Sequence, residues 1–198
     1  MGRLARALVV TFAAAFAAAL GAPASGAAPA VVERVVAVIR SPAAQQPRIL
    51  TLTKVEEETR VALVARGGTL AATAKLDAQA LRAGLDWLVD QTLLADEAAR
   101  LQIPDVDAVE VAAELQRFKA RFPRPAAYAA FLTRLDLAEE DLAGIMRRGS
   151  RVRRYLESRL GRSGDLTDDR AATEAKALAA ELRGRAEVRV LYDFGDRA

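Results

Sequence analysis

The chain has 198 residues, of which 52% are hydrophobic, 28% charged and 5% aromatic, with no Cys, no His and a formal net charge of +3. The charged fraction excludes an integral membrane bundle, and the apolar fraction excludes a disordered charged tail. The missing Cys and His exclude disulfides, thiolate or histidine metal sites, a Ser-His-Asp triad and a Cys-His dyad. Carboxylate or lysine chemistry survives in principle, but most familiar active sites are excluded, and we predict no catalytic residue, no metal and no cofactor.

The N-terminus has the pattern of a secretory signal peptide. Arg3 and Arg6 precede an uncharged run over residues 7–22, and small residues with several A-x-A-like cleavage sites follow over 23–28. A membrane span needs about 20 strongly apolar residues, whereas this run is shorter and mostly Ala. We therefore expect cleavage rather than a retained anchor. A lipoprotein is excluded because there is no Cys to carry the lipid.

Removal of a signal peptide over residues 1–27 would leave a chain of residues 28–198. The two arginines lost with it reduce the 29 basic side chains to 27, against 26 acidic ones. The net charge of the mature chain is then close to zero. Charge alone therefore does not indicate an acidic partner.

The mature chain opens with two predicted strands. Residues 31–39 are β-branched and about one strand long, a loop follows over 41–47, and residues 49–52 form a second short strand. Thr53 and Glu56 fit the S/T-x-x-E capping box and predict the start of a helix. That helix carries Val61 and Val64 and ends before Gly67 and Gly68.

Residues 77–101 are the most periodic stretch of the chain. One stripe has helical spacing, and a second runs beside it. The first consists of Leu81, Leu85, Leu88, Thr92, Ala95 and Ala99, the second of Trp87, Gln91, Leu94, Ala98 and Leu101. A stripe this wide predicts a helix that is packed on two sides.

Three further helices are predicted before residue 160. Pro104 suits the first turn of one, and Pro125 suits the first turn of the next. Acids at 139–141 mark the start of the third, where a helix N-terminus favours negative charge. Their apolar faces are predicted to be Val109, Ala112, Leu115 and Phe118; Tyr128, Phe131, Leu132 and Leu135; and Leu142, Ile145, Met146, Val152, Tyr155 and Leu156.

The C-terminal part reads as a linker, a helix and a strand. The linker covers residues 161–165, the helix about 167–183 and the strand 187–192. Each terminal strand needs a partner for its edge hydrogen bonds, and pairing the two satisfies both. The predicted fold class is therefore mainly α, with a small sheet that pairs the N-terminal and C-terminal strands.

Arginines crowd the last long helix, and acids cluster at three places. The arginines are Arg147, Arg148, Arg151, Arg153, Arg154 and Arg159, with Arg162 just beyond. They suggest an anion or nucleic-acid patch, but the small mature charge and the export signal favour a solvated face with some side chains paired to neighbouring acids. The acids at 56–58, 139–141 and 168–169 lie at predicted helix starts, which explains them without acid–base chemistry. No nucleic-acid partner is predicted.

The aromatic residues admit two interpretations. They could line a groove for apolar segments, with Met as the adaptable element, or they could be ordinary core. Trp87 is expected in the core, and Phe122, between a helix end and two prolines, is expected to be the most exposed. The candidate peptide-binding residues are Phe118, Phe122, Tyr128, Phe131 and Met146.

Several segments, taken in order, resemble the N-terminal chaperone region of the SurA family of periplasmic folding factors. These segments are VERVVAVI, ILTLTKVE, LDWLVDQTLLADEAARLQI, FLTRLDLAEEDLAGIMRR and RVRRYLESRL. The C-terminal LAAELRGRAEVRVLYDF resembles the family's closing helix and strand, so residues 28–160 and 166–193 would form one module. Asp136 stands where relatives often have Gly. The parvulin isomerase domains that relatives usually insert are replaced by residues 161–165.

The resemblance implies a periplasmic, ATP-independent chaperone that binds unfolded or outer-membrane-bound polypeptides and helps outer membrane protein biogenesis. Without the isomerase insertion, no enzymatic activity is expected. Stable membrane insertion is not expected after signal cleavage. Two alternatives stay open: a structural or assembly partner of one specific envelope protein, and a residual peptidyl-prolyl isomerase.

Overall fold

The computed structural model describes residues 33–160, 169–192 and 194. The predicted signal peptide and the predicted linker over 161–165 lie outside these residues. The elements, in chain order, are β1 Val35–Arg40, β2 Arg48–Thr51, α1 Leu52–Ala65, α2 Ala78–Arg100, α3 Ala108–Lys119, α4 Pro125–Leu135, α5 Glu139–Leu160, α6 Asp169–Arg185 and β3 Glu187–Val190, with a 3₁₀ turn at Thr69–Ala72. The predicted class, mainly α with a small sheet, is confirmed.

The sheet has three antiparallel strands in the order β2-β1-β3. The N-terminal strand is central, because β1 pairs with β2 on one side and with β3 on the other. Val38 lies opposite Ile49 of β2 and opposite Arg189 of β3. The predicted pairing of the first strand with the last is therefore confirmed. Val36, Ala37 and Ile39 of β1 are fully buried, as expected for the central strand of a sheet covered by helices.

The predicted start of α1 is displaced by two residues. Thr51, rather than Thr53, is the N-cap, and its Oγ1 accepts a hydrogen bond from the backbone N–H of Lys54 at 3.3 Å. The capping box does not form, because Glu56 binds Arg60 four residues further along the helix. The acids at 56–58 therefore lie beyond the first turn, and the helix dipole does not explain them. They need another role.

Helix α2 follows the sequence pattern closely. Asp77 caps it by accepting a hydrogen bond from the N–H of Ala80 at 2.7 Å. The helix packs against α1, α5 and α6, which confirms the prediction that more than one side is covered. Gly84 allows the close approach to α1, since a methyl group there would lie only 1.9 Å from Oγ1 of Thr59.

Two details of the next helices differ from the predictions. Pro104 lies in the loop before α3, whose N-cap is Asp107. The predicted inward face of α3 is also wrong at its start: Val109 is 80% exposed, and Val111 is buried instead. By contrast, Pro125 begins α4 as predicted, and acids fill the first turn of α5. Asp136 ends α4 in the left-handed conformation, with φ of 49°.

The buried side chains form two hydrophobic clusters. The first joins the sheet, α2, α6 and the C-terminal half of α5, and it contains Ile39, Leu88, Leu93 and Tyr155. The second lies between the end of α1, α3, α4 and the start of α5. Helix α1 contributes to both, and α5 runs past both. The two clusters therefore share two helices.

Candidate functional site

The predicted aromatic residues pack mainly against one another. Phe118, Tyr128 and Phe131 are buried, with at most 9% exposure, and Phe122 is partly buried against them. We call these four residues the aromatic cluster. Their ring centroids lie 5.3–5.8 Å apart in tilted or edge-to-face arrangements, which are the favoured geometries for aromatic pairs. Of the two interpretations that the sequence left open, the burial of these rings favours core over an open groove.

The rim of the aromatic cluster is polar. The hydroxyl of Tyr128 donates a hydrogen bond to Glu139 at 3.1 Å, and Nζ of Lys119 donates to the same carboxylate at 2.8 Å. Burial and the adjacent Glu139 carboxylate raise the pKa of the Tyr128 hydroxyl. The hydrogen bond from Lys119 lowers the pKa of Glu139. These contacts hold α3, α4 and α5 together around the rings.

Met146, the fifth predicted residue, has a different environment. It is partly buried and lines a cavity of about 200 Å³, together with Trp87, Ile145 and Val61. Trp87 is only partly buried, and the guanidinium of Arg66 lies 5.9 Å from its ring centroid. Met146 therefore packs at the edge of the same hydrophobic cluster as the rings and also faces a cavity.

A larger opening lies on the other side of α5. It is a groove of about 650 Å³ between β2, α1, α2 and α5, and we call it the basic groove. Its lining residues are Pro47, Arg48, Ile49, Leu50, Lys54, Glu58, Leu88, Thr92, Ala95, Asp96, Ala99, Asp105, Gly144, Arg147, Arg148 and Arg151.

The basic groove has a mainly apolar side, which also carries the paired Arg48 and Asp96, and a cationic side. β2 and α2 supply the aliphatic side chains, and Ile49 is 58% exposed there. Helix α5 supplies Arg147, Arg148 and Arg151. Arg147 is exposed and Arg148 is paired with Glu58, as expected for a solvated face with some paired side chains, but the sequence did not predict the groove that the three arginines line. The spacing i, i+1 and i+4 directs all three toward one side of the helix.

Two acids in the basic groove are almost completely buried. Glu58 has a side-chain exposure of 2%, and its carboxylate lies 2.6 Å from Nη2 of Arg148 and 3.1 Å from Nζ of Lys54. Asp96 has a side-chain exposure of 5% and accepts two hydrogen bonds from Arg48 on Oδ1, at 2.8 and 3.2 Å. Its Oδ2 has no hydrogen-bond partner within the described residues.

Two further arginines of α5 are paired with acids on neighbouring segments, as the sequence suggested for some of them. Arg153 binds Glu114 of α3, and Arg154 binds Glu110 and the backbone carbonyl of Asp105. Arg151 donates to the backbone carbonyl of Ile103 at 3.0 Å, which leaves its charge unneutralised. Arg147 is exposed and makes no hydrogen bond or ion pair with any residue that the structure describes.

Sequence reasoning missed Glu58 and Asp96. Glu58 stood in an acidic triplet that looked like a helix start, and Asp96 lies outside both apolar stripes that the sequence analysis identified on α2. One signal was available: Asp96 follows Leu85, Val89 and Leu93 at helical spacing, on one face of α2. An acid on an otherwise apolar helix face indicates a buried, partnered charge.

In the described ranges, no helix is long and apolar enough to cross a bilayer. The same ranges contain no group of three or more acidic, His or Cys side chains that could hold a metal ion. Comparisons with family models, with curated proteins and with solved structures find no match for this chain.

Proposed function

We propose that this chain is an exported, ATP-independent chaperone-like module that binds unfolded or outer-membrane-bound polypeptides transiently in the periplasm. The basic groove is the observation that carries the proposal. Its volume lies within the range of about 300–1,000 Å³ that is typical of ligand sites. It also joins an exposed aliphatic side chain, Ile49, to a charged rim. Apolar surface of this kind can shield an exposed segment of a client, and the rim can keep the complex in solution.

The position of the basic groove next to an edge strand also supports polypeptide binding. β2 lies at one edge of the sheet, and Arg48, Ile49 and Leu50 of β2 line the groove. An extended peptide can bind along a strand edge through main-chain hydrogen bonds, which is a recurring form of peptide recognition. Such binding depends little on client sequence, and broad selectivity suits a chaperone.

The sequence pattern supports the other parts of the proposal. The resemblance to the SurA chaperone region covers most of the mature chain, and the N-terminal pattern predicts export. The proposal includes no catalytic step, because only five residues, 161–165, stand where relatives insert an isomerase domain. Binding of one dedicated envelope protein through the same groove is the alternative.

An aggregation assay tests the proposal. A urea-denatured outer-membrane β-barrel protein is diluted with and without the mature chain, and light scattering is followed. We expect suppression at several-fold molar excess of the chain. Ile49→Thr keeps a β-branched residue in β2 and removes apolar surface from the groove, so it should weaken suppression. Leu70→Thr, at a site 80% exposed and outside the groove, is the matched control and should suppress normally.

The two outcomes that contradict the proposal differ. Absence of suppression by the unaltered chain would contradict chaperone activity. Equal suppression by the Ile49→Thr variant and the unaltered chain would place the binding surface elsewhere. A pull-down from a periplasmic extract then separates the alternative, since one stoichiometric partner favours a dedicated role and many partners favour the chaperone.

A further inference from the structure

We propose that the basic groove binds the C-terminal end of a client polypeptide, with the terminal carboxylate on the arginines of α5 and apolar residues against β2 and α2. The inference rests on the proposed function, and it specifies which part of a client is bound. Its basis is the charge of the groove and the separation of its two sides.

The charges of the basic groove do not balance. Five cationic side chains and three carboxylates line it, which leaves two positive charges without a matching carboxylate. Asp96 is already paired with Arg48, and the buried Glu58 is held between Arg148 and Lys54. The acids of the groove are therefore not available to bind a further cation.

Arg147 and Arg151 are the two cations of the groove that contact no carboxylate within the described residues. Arg147 has no partner among the described residues, and Arg151 donates only to the backbone carbonyl of Ile103. The two are one helical turn apart, so their side chains lie on the same face of α5. Guanidinium groups match the planar geometry of a carboxylate and bind it with charge-assisted hydrogen bonds. The third carboxylate, Asp105, is exposed, and its Oδ1 accepts from the N–H of Val106.

The apolar side of the groove favours a chain end over an acidic side chain. Ile49, Ala95 and Ala99 lie on that side, so the segment next to the carboxylate should be apolar. A terminal carboxylate supplies the charge from the backbone, and every neighbouring side chain can then be apolar. Capture of a C-terminal carboxylate is also a recurring form of peptide recognition.

Peptide binding measured by fluorescence anisotropy tests the inference. The probe is an eight-residue Ala/Val/Leu/Ser peptide that ends in three aliphatic residues and carries an uncharged N-terminal dye. It is prepared as the free acid, as the C-terminal amide, and as an amide with one internal Glu. At low ionic strength, where screening is weak, we expect the free acid to bind about tenfold more tightly than either amide.

Matched variants locate the effect. Arg147→Gln should remove most of the preference for the free acid without breaking a contact to any residue that the structure describes. Arg159→Gln makes the same charge change on the same helix outside the groove and should keep the preference. Urea unfolding of both variants verifies that each is folded.

Each remaining outcome overturns the inference. If the free acid and the plain amide bind equally, the groove does not recognise the terminal carboxylate, although the proposed function stands. If the Glu-containing amide binds as tightly as the free acid, the groove reads acidic side chains rather than chain ends. If no peptide binds while aggregation is still suppressed, clients bind elsewhere. If neither binding nor suppression is seen, the proposed function fails as well.

Discussion

The aromatic cluster and the basic groove lie on either side of helix α5 and are built in opposite ways. The cluster draws its rings from residues 118–131, a short stretch of chain, and closes them against each other. The groove draws its lining from segments between Pro47 and Arg151 and stays open. Aromatic side chains bury a large apolar area, and contacts between rings stabilise the fold beyond that area. Arginine keeps its charged end hydrated even when its stem is packed. This chain has few aromatic residues, and four of them pack in the cluster. The lining of the open groove therefore consists mainly of arginine and small aliphatic side chains.

Phe131→Ala should have the largest effect, and it tests whether the aromatic cluster is closed core. The ring contacts both Phe118 and Phe122 and is 2% exposed, so its loss leaves a cavity. We expect the free energy of unfolding to fall by about 3–5 kcal/mol, as measured by urea denaturation followed by circular dichroism. Val109→Ala, at an 80% exposed position, should change it by no more than about 0.5 kcal/mol. A loss below about 1 kcal/mol for Phe131→Ala would show that the ring is not core.

Glu58→Gln tests the groove side of the comparison. The change removes the charge that Lys54 and Arg148 share, and uncompensated charges near the interior are costly. Both cations keep access to water, with side-chain exposures of 44% and 35%, so we expect a smaller loss than for a fully buried pair, about 2 kcal/mol.

Glu57→Gln is the matched control for Glu58→Gln, because it makes the same change at the next residue. Burial raises the pKa of Glu57, so loss of that charge should not destabilise the fold. Equal losses of unfolding free energy for the two variants would contradict a special role for Glu58.

The polar rim of the aromatic cluster predicts a dependence on pH. The pKa of Glu139 is lowered chiefly by the hydrogen bond from Lys119. Its stabilising contribution is therefore present above the usual value of 4.5 and is lost as pH falls through the lowered value. Lys119→Met should reduce that acid-dependent loss, by less than about 1 kcal/mol because the pair is exposed.

Unfolding free energies between pH 6 and pH 3 measure this effect. Lys176→Met, on the exposed face of α6, is the control and should keep the full acid dependence. The interpretation fails if the Lys119 variant loses as much stability in acid as the unaltered chain.

Asp136→Gly should give the smallest effect. Asp136 has a positive φ, a conformation that glycine adopts without a steric penalty and Asp tolerates better than most residues. We expect a gain of about 0.5 kcal/mol in the free energy of unfolding. Asp136→Ala should lower it instead, since Ala tolerates a positive φ less well than Asp. A loss for the glycine variant would mean that the Asp136 side chain matters more than its backbone angle.

Local sequence signals predicted the helices well. The stripes of α2, Pro125 at the start of α4 and the acids at 139–141 each depend on neighbours within one or two turns. The errors at Thr53 and Val109 also have local causes. Two threonines compete for the α1 cap, and α3 begins after Asp107 rather than at Pro104, which rotates its inward face.

The site was much less predictable than the helices. Buried rings and groove-lining rings have the same helical spacing, so the pattern could not distinguish them. Likewise, Arg147 and Arg151 look like a solvated face until β2 and α2 are placed opposite them. A groove forms where segments that are far apart in sequence are held at a certain distance from one another. The periodicity of a single segment does not predict that distance.

The position of β1 at the centre of the sheet has a consequence for the order of folding. Val38 of β1 pairs with Arg189 of β3. The pairing of β1 with β3 therefore joins residues about 150 positions apart, and closing so long a loop costs chain entropy. During synthesis, β1 is made before the other elements of the domain and β3 after them. Until β3 arrives, one edge of β1 has unmet hydrogen bonds and can pair with another chain. The sheet is therefore completed only after synthesis of the domain is almost finished, and truncation before Glu187 leaves its central strand as an edge.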